Sequence, residues 1–224
     1  MITFENVSLT EGHIARHTPT GSGAPGREAA IIDIAQDFLL SYLEDHGKMD
    51  KVSLKGGTAI RKFYAGREGR FSLDLDFSID DQYTDSNELA LEFVSEIDGL
   101  KIGPFSYSVS ERRNKWYIGL SSPYNDGEIF RTKLDFASYP WLEPVKRSII
   151  ALPIHKQYGF ELPPIHTVRR EERFQIQIQL IFFFYIIQFN LPRPKNIGLS
   201  FSTIRKLYIK NIFSIRYVKL SLII

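Results

Sequence analysis

Between residues 27 and 46, apolar side chains fall at Ile31, Ile34, Ala35, Phe38, Leu39, Tyr42 and Leu43. That spacing of three and four puts them on one face of a helix and predicts an amphipathic helix whose stripe packs a core. A different rhythm governs 71–79. Phe71, Leu73, Leu75, Phe77 and Ile79 alternate with Ser72, Asp74, Asp76 and Ser78. A strand there turns its apolar set one way and its hydroxyls and carboxylates the other. Shorter signals predict a strand at 52–54, a Lys55-Gly56-Gly57-Thr58 turn and a short helix over 58–64. Asp85 and Glu88 are spaced as a capping pair for a helix to about 98. A hairpin follows, with strands 105–110 and 115–121 around Glu111-Arg112-Arg113-Asn114, and then a strand at 129–136. The Pro-rich stretch 139–164 has no clear period. Helices alternating with strands, and then several strands together, predict an α+β domain with a mixed sheet flanked by helices.

The composition, 43% hydrophobic and 24% charged over 224 residues, suits a globular chain large enough for a real core. Zero cysteines exclude a disulfide framework and a thiolate nucleophile, and fit the reducing cytoplasm. No basic start leads into an apolar stretch, so a secretory signal is not expected. Charge is distributed unevenly. Residues 1–172 carry 20 Lys/Arg against all 26 acids, while 173–224 carry eight Lys/Arg and none. That last segment is rich in Ile, Phe, Lys, Asn and Tyr, the residues AT-rich codons yield when read without selection. Two readings stand: a change of frame or end of the natural chain near Glu172, or a genuine basic, β-prone tail. Both divide the chain into a core, 1–172, and an atypical C-terminal segment, 173–224. The apolar run 180–187 is too short to span a bilayer, so no membrane partner is expected.

The strongest chemical signal is Asp74 and Asp76. On a strand their carboxylates share a face, with roots about 6–7 Å apart, and repel by about 2–3 kcal/mol at an effective dielectric near 20. A divalent cation reverses that sign, and magnesium prefers hard oxygen ligands. The bland reading is a solvent-facing strand edge with incidental acids, because D-x-D pairs are common. The surroundings add to the signal. Gly56-Gly57 follows a strand and opens a helix, a geometry in which backbone N–H groups hold phosphate, with Thr58 placed to add a hydroxyl. Arg131, Lys133 and Asp135 share a face of the 129–136 strand. Three carboxylates on two strands beside a Gly-Gly turn are the parts of a two-metal nucleotidyl-transfer site.

Other signals are weaker. Gly21, Gly23 and Gly26 spell G-x-G-x-x-G but lack the preceding strand that a dinucleotide site requires. His13 and His17 are four apart, without the Glu of a zinc helix and in a segment not convincingly helical. His155 and His166 are expected at the surface, and Trp116, Tyr117 and Trp141 in the core. Arg112, Arg113 and Lys115 form a solvated hairpin tip, with RNA backbone contact as the less favoured alternative.

The run Leu54-Lys55-Gly56-Gly57-Thr58-Ala59-Ile60-Arg61-Lys62, followed by Gly69-Arg70-Phe71-Ser72-Leu73-Asp74-Leu75-Asp76-Phe77, resembles the AbiEii-like nucleotidyltransferase toxins. These belong to the polymerase-beta-type superfamily, whose mark is a Gly-Gly or Gly-Ser turn followed by D-x-D. Here 16 residues separate turn and first acid, as in this family's form. Lys133-Leu134-Asp135-Phe136 is similar to its next motif. The resemblance implies a toxin that moves a nucleoside monophosphate from an NTP to an acceptor, tRNA or another RNA. It works with magnesium or manganese, in a toxin–antitoxin or phage-defence pair with a winged-helix antitoxin. It assigns Asp74, Asp76 and Asp135 as metal ligands, and Asp135 also as the base for the acceptor hydroxyl. Lys133 would offset triphosphate charge, and Lys55, Gly56, Gly57, Thr58, Arg70 and Ser72 would line the nucleotide. The likeness stops after Arg170-Glu171-Glu172. The family's helical half carries an Arg-Asp motif, and no Asp follows Asp135. The alternative is therefore an impaired remnant that binds nucleotide, RNA or an antitoxin without turnover. A sugar-nucleotide glycosyltransferase also uses D-x-D but leaves the Gly-Gly turn unexplained.

Overall fold

Leu75, Phe77 and Ile79 are each at most 3% exposed, and the strand that carries them lies near the middle of an eight-stranded mixed sheet. The computed structural model describes residues 8–79, 86–137, 142–157, 159 and 162–169. Its strands are β1 (Val52–Lys55), β2 (Asp74–Ile79), β3 (Lys101–Ile102), β4 (Phe105–Arg112), β5 (Lys115–Ser121), β6 (Phe130–Ala137), β7 (Val145–Ser148) and β8 (Pro164–Thr167). Their order is β3-β4-β5-β6-β2-β1-β8-β7. The β2–β6 and β1–β8 pairs are parallel and the others antiparallel. The β4–β5 hairpin turns at Arg113 and Asn114, both with positive φ, as a two-residue turn compatible with strand twist requires.

The apolar side of the sheet packs helices α2 (Gly23–Asp45) and α4 (Ser86–Ile97), while the short α3 (Gly56–Ile60) opens directly after β1. Phe77 meets Phe93 of α4 and Phe136 of β6, with ring centres 5.3 and 5.8 Å away, and Phe38 of α2 meets Phe105. The α+β architecture expected from the sequence is the one observed.

Several local expectations are corrected. The segment judged not convincingly helical forms α1 (Glu11–His17), and α2 begins at Gly23, inside the presumed glycine loop. The middle of α2 is not amphipathic in its surroundings, since Asp33, Gln36 and Asp37 on the supposed polar side are at most 2% exposed. His17 of α1, His155 of the Pro153–Gln157 helix, and Arg61 and Lys62 beyond the Gly-Gly turn cover that side. The central strand starts at Asp74 rather than 71, and Leu73 is 42% exposed. The Pro-rich stretch yields β7, a short helix α5 (Pro153–Gln157) and the start of β8. His155, expected at the surface, is 2% exposed. The Asp85 cap, Trp141, Arg170-Glu171-Glu172 and the segment 173–224 lie outside the described residues.

Candidate active site

Three adjacent strands bring the charged residues together. Lys55 of β1 pairs with Asp76 of β2, and Asp76 with Asp135 of β6, while Asp74 pairs with Lys133. Residues level with one another on neighbouring strands emerge on one face. These five therefore stand together, on the face opposite the apolar row Leu54, Phe77 and Phe136. Adjacent strands lie about 4.8 Å apart, so Asp76 and Asp135 are close like charges. Burial, then Asp135, then Asp74 push the Asp76 carboxyl above its ordinary value, only partly offset by Lys55 and Lys133. Lys133 forms an ion pair with Asp135, and that hydrogen bond raises the Lys133 ammonium.

The Gly-Gly turn crosses directly over this face. Gly56 has φ +71°, and a Cβ there would overlap the Asp76 carboxylate; a Cβ on Gly57 would meet Ser72 Oγ at 2.8 Å. Turn, D-x-D strand and Ser72 thus form one tight group; Arg70, two residues before Ser72, is exposed. Thr58 is placed differently from expectation. It is 1% exposed and its hydroxyl donates to the Asp74 carbonyl, so it braces β2 and has no hydroxyl left for phosphate.

The donor set suits a hard divalent cation: carboxylate oxygens with excess negative charge on Asp76, at a turn where glycine leaves room. The three carboxylates do not yet converge, because Asp135 is turned to Lys133. Among the described residues the one convergent group is Glu44, Asp50 and His166. There the Lys146 ammonium, 2.7 Å from Glu44 and 3.8 Å from Asp50, already supplies the cation.

A family model described as "Nucleotidyl transferase AbiEii toxin, Type IV TA system" matches residues 37–174, a span that holds the turn, the D-x-D strand and Asp135. The chain belongs to the AbiEii nucleotidyltransferase toxin family. It is similar to MenT4, a nucleotidyltransferase toxin of Mycobacterium tuberculosis H37Rv, at 34% identity and a TM-score of 0.62. That likeness covers 73% of this chain and 56% of MenT4, so the chain spans little more than half of that relative's length. No curated protein matches it. Among the described residues no helix is long and apolar enough to cross a membrane.

Beneath the site, this AbiEii-family chain buries a charge network that the sequence reading missed. Asp33 accepts from Arg61 Nε at 3.0 Å, Arg61 Nη2 at 3.1 Å and Lys62 Nζ at 3.2 Å, and lies 2.8 Å from His17 Nε2. Asp37 accepts from Lys62 at 2.6 Å and lies 3.0 Å from His155 Nε2. Burial, the largest single influence, would raise both carboxyls, but Lys62, His17 and Arg61 together outweigh it at Asp33, and Lys62 and His155 together at Asp37. Both are held below the usual carboxylate range. The signal was present as two acids four apart on the polar side of the predicted helix, and an Arg-Lys pair three residues beyond the Gly-Gly turn.

Proposed function

We propose that this chain carries the nucleotidyl-transfer centre of a toxin and moves a nucleoside monophosphate from an NTP to an acceptor hydroxyl on RNA, tRNA included. The observation that carries this reading is the grouping of Asp74, Asp76 and Asp135 on one sheet face beneath a turn whose Gly56 leaves no room for a side chain. Asp74 and Asp76, joined by Asp135, would hold magnesium or manganese, which offsets phosphate charge at three carboxylates. Backbone N–H groups at Gly56 and Gly57 face the triphosphate, with Lys55, Arg70 and Ser72 at its sides. Lys133 turns from Asp135 to the phosphates, which frees Asp135 as base. The acceptor oxygen bonds to the α-phosphorus, the bond from that phosphorus to the bridging oxygen breaks, and pyrophosphate leaves. The hydroxyl proton passes to Asp135.

The family supports an antitoxin partner. We extend this to a winged-helix protein encoded beside the toxin, in a cytoplasmic toxin–antitoxin or phage-defence pair. The test is incubation of the chain with each α-labelled NTP, magnesium and total RNA, beside Asp74→Asn. Label moving to RNA with the parent chain and not with the variant supports the reading. Label moving equally with both overturns the assignment of Asp74. The Lys133–Asp135 ion pair, which occupies the proposed base, favours a second reading: a chain that binds nucleotide, RNA or an antitoxin without turnover. That reading expects labelled NTP retained by the protein and none on RNA.

A further inference from the structure

The backbone entering Asp74 is held from the core side, carbonyl by carbonyl. Arg61, 5% exposed, donates through Nη1 to Gly66 O at 3.0 Å and to Gly69 O, while its guanidinium lies 4.1 Å from the Phe71 ring centre. Its Nε and Nη2 rest on Asp33. Gln36, 1% exposed, directs Nε2 to Ser72 O and to Thr132 Oγ1, both at 3.3 Å. Thr132, also 1% exposed, donates to Leu73 O. Ladder pairing with β6 begins only at Asp74. These three side chains, from α2, the helix after the turn and β6, thus do for 66–73 what a neighbouring strand does for β2.

We propose that Gln36, Arg61 and Thr132 are positioning residues that fix the segment leading to Ser72, and so hold Ser72 against the Gly56-Gly57 turn and set the affinity for the nucleotide. The proposal rests on the nucleotidyl-transfer reading. A segment ordered before its ligand arrives spares binding the entropy of ordering it. Gln36 separates this role from ordinary stabilisation. Among the described residues its Oε1 is buried with no hydrogen-bond partner, and an unpaired buried amide oxygen costs stability that an apolar side chain of similar size does not. Stability alone is better served by methionine at this position.

The test measures, by calorimetry on the full chain with magnesium, the Kd of each of the four non-hydrolysable α,β-imido NTPs, together with the melting temperature. Gln36→Met is expected to weaken the bound nucleotide about five- to tenfold with no loss of melting temperature, the scale of one or two lost hydrogen bonds. Thr132→Val is expected to do the same, and Thr132→Ser, which keeps the hydroxyl, to restore affinity. Arg61→Lys keeps the charge beside Asp33 but loses the fork that spans Gly66 O and Gly69 O, and is expected to weaken binding similarly. Parent-like affinity in Gln36→Met, or loss only in step with melting, overturns the positioning role. If the parent chain itself binds none of the four analogues, the nucleotidyl-transfer reading falls, and this proposal with it.

Discussion

Asp76 and Asp135 are direct partners across the parallel β2–β6 ladder, two carboxylates at one level on neighbouring strands. Without a cation, that pairing stores repulsion, which shows as an Asp76 carboxyl raised by burial, by Asp135 and by Asp74. Like charges directly opposite destabilise a sheet, so Asp76→Asn should make the metal-free protein more stable. The expected gain is about 1 kcal/mol, or about 2–4 °C in melting temperature for a domain of this size, with transfer activity lost. Calorimetry of the metal-free variant checks this, and a lower melting temperature would show that Asp76 is held by attraction instead.

The same raised carboxyl fixes the direction of a pH dependence. A divalent cation requires Asp76 ionised, and a proton competes for it at a higher pH than at an ordinary carboxylate of about 4. Magnesium or manganese affinity should therefore fall as pH drops from 7 towards 5, and binding should release protons. Titration calorimetry in two buffers of different ionisation enthalpy measures that release directly. Release no greater at pH 5 than at pH 7 would contradict the Asp76 shift.

Asp33 and Asp37 have the opposite shift and lead to a different prediction. Their folded-state values lie below the unfolded value of about 3.9. The stability they contribute is fully present above that unfolded value and is lost as pH falls through the folded values. The fold should therefore hold from neutral pH to about 4, and its melting temperature should drop progressively below that. Asp33→Asn removes the anion facing Arg61 and Lys62, and at neutral pH should cost about 3–5 kcal/mol, the usual result of stranding a buried partner. Chemical denaturation of the variant checks this; a cost below 1 kcal/mol would mean that Asp37 alone suffices to satisfy Lys62.

The legibility of these features followed the range of the interactions behind them. The alternation Leu75, Phe77, Ile79 and the D-x-D register are local, and a strand shows them in sequence. The level placement of Asp135 beside Asp76 was half legible: the face was given by alternation, the neighbouring strand only by the family resemblance. Ser72 and Leu73 looked like strand because their alternation continues, yet Gln36 and Thr132 take their carbonyls, and such side chains leave no period in the sequence. His155 was misread, and the partner of His17 missed, for the same reason. Each reaches an acid of α2 from a remote part of the chain, 16 and 118 residues away. α1 was overlooked because seven residues carry too little apolar pattern to distinguish a helix from a polar loop.

The Gly-Gly turn separates steric from chemical demands. At Gly56 two costs coincide: φ is +71°, where an L side chain is strained by about 1–2 kcal/mol, and a Cβ would run into the Asp76 carboxylate. Relief would move either the turn or the D-x-D strand, and β2 cannot shift because Asp74 and Asp76 are paired to β1 or β6 at every level. Gly57 differs. No left-handed φ constrains it, and the atom its Cβ would meet at 2.8 Å is the hydroxyl end of Ser72, which can rotate away. Gly56→Ala should therefore abolish nucleotide transfer and lower stability by about 2 kcal/mol or more. Gly57→Ala should keep the fold and weaken nucleotide binding alone, since it displaces Ser72 and narrows the approach to the backbone N–H groups. Parallel melting and nucleotide-binding measurements on the two variants decide this. Equal stability losses would mean that Gly57 is as tightly enclosed as Gly56, and the turn would then be a packing device, not a cradle open to phosphate.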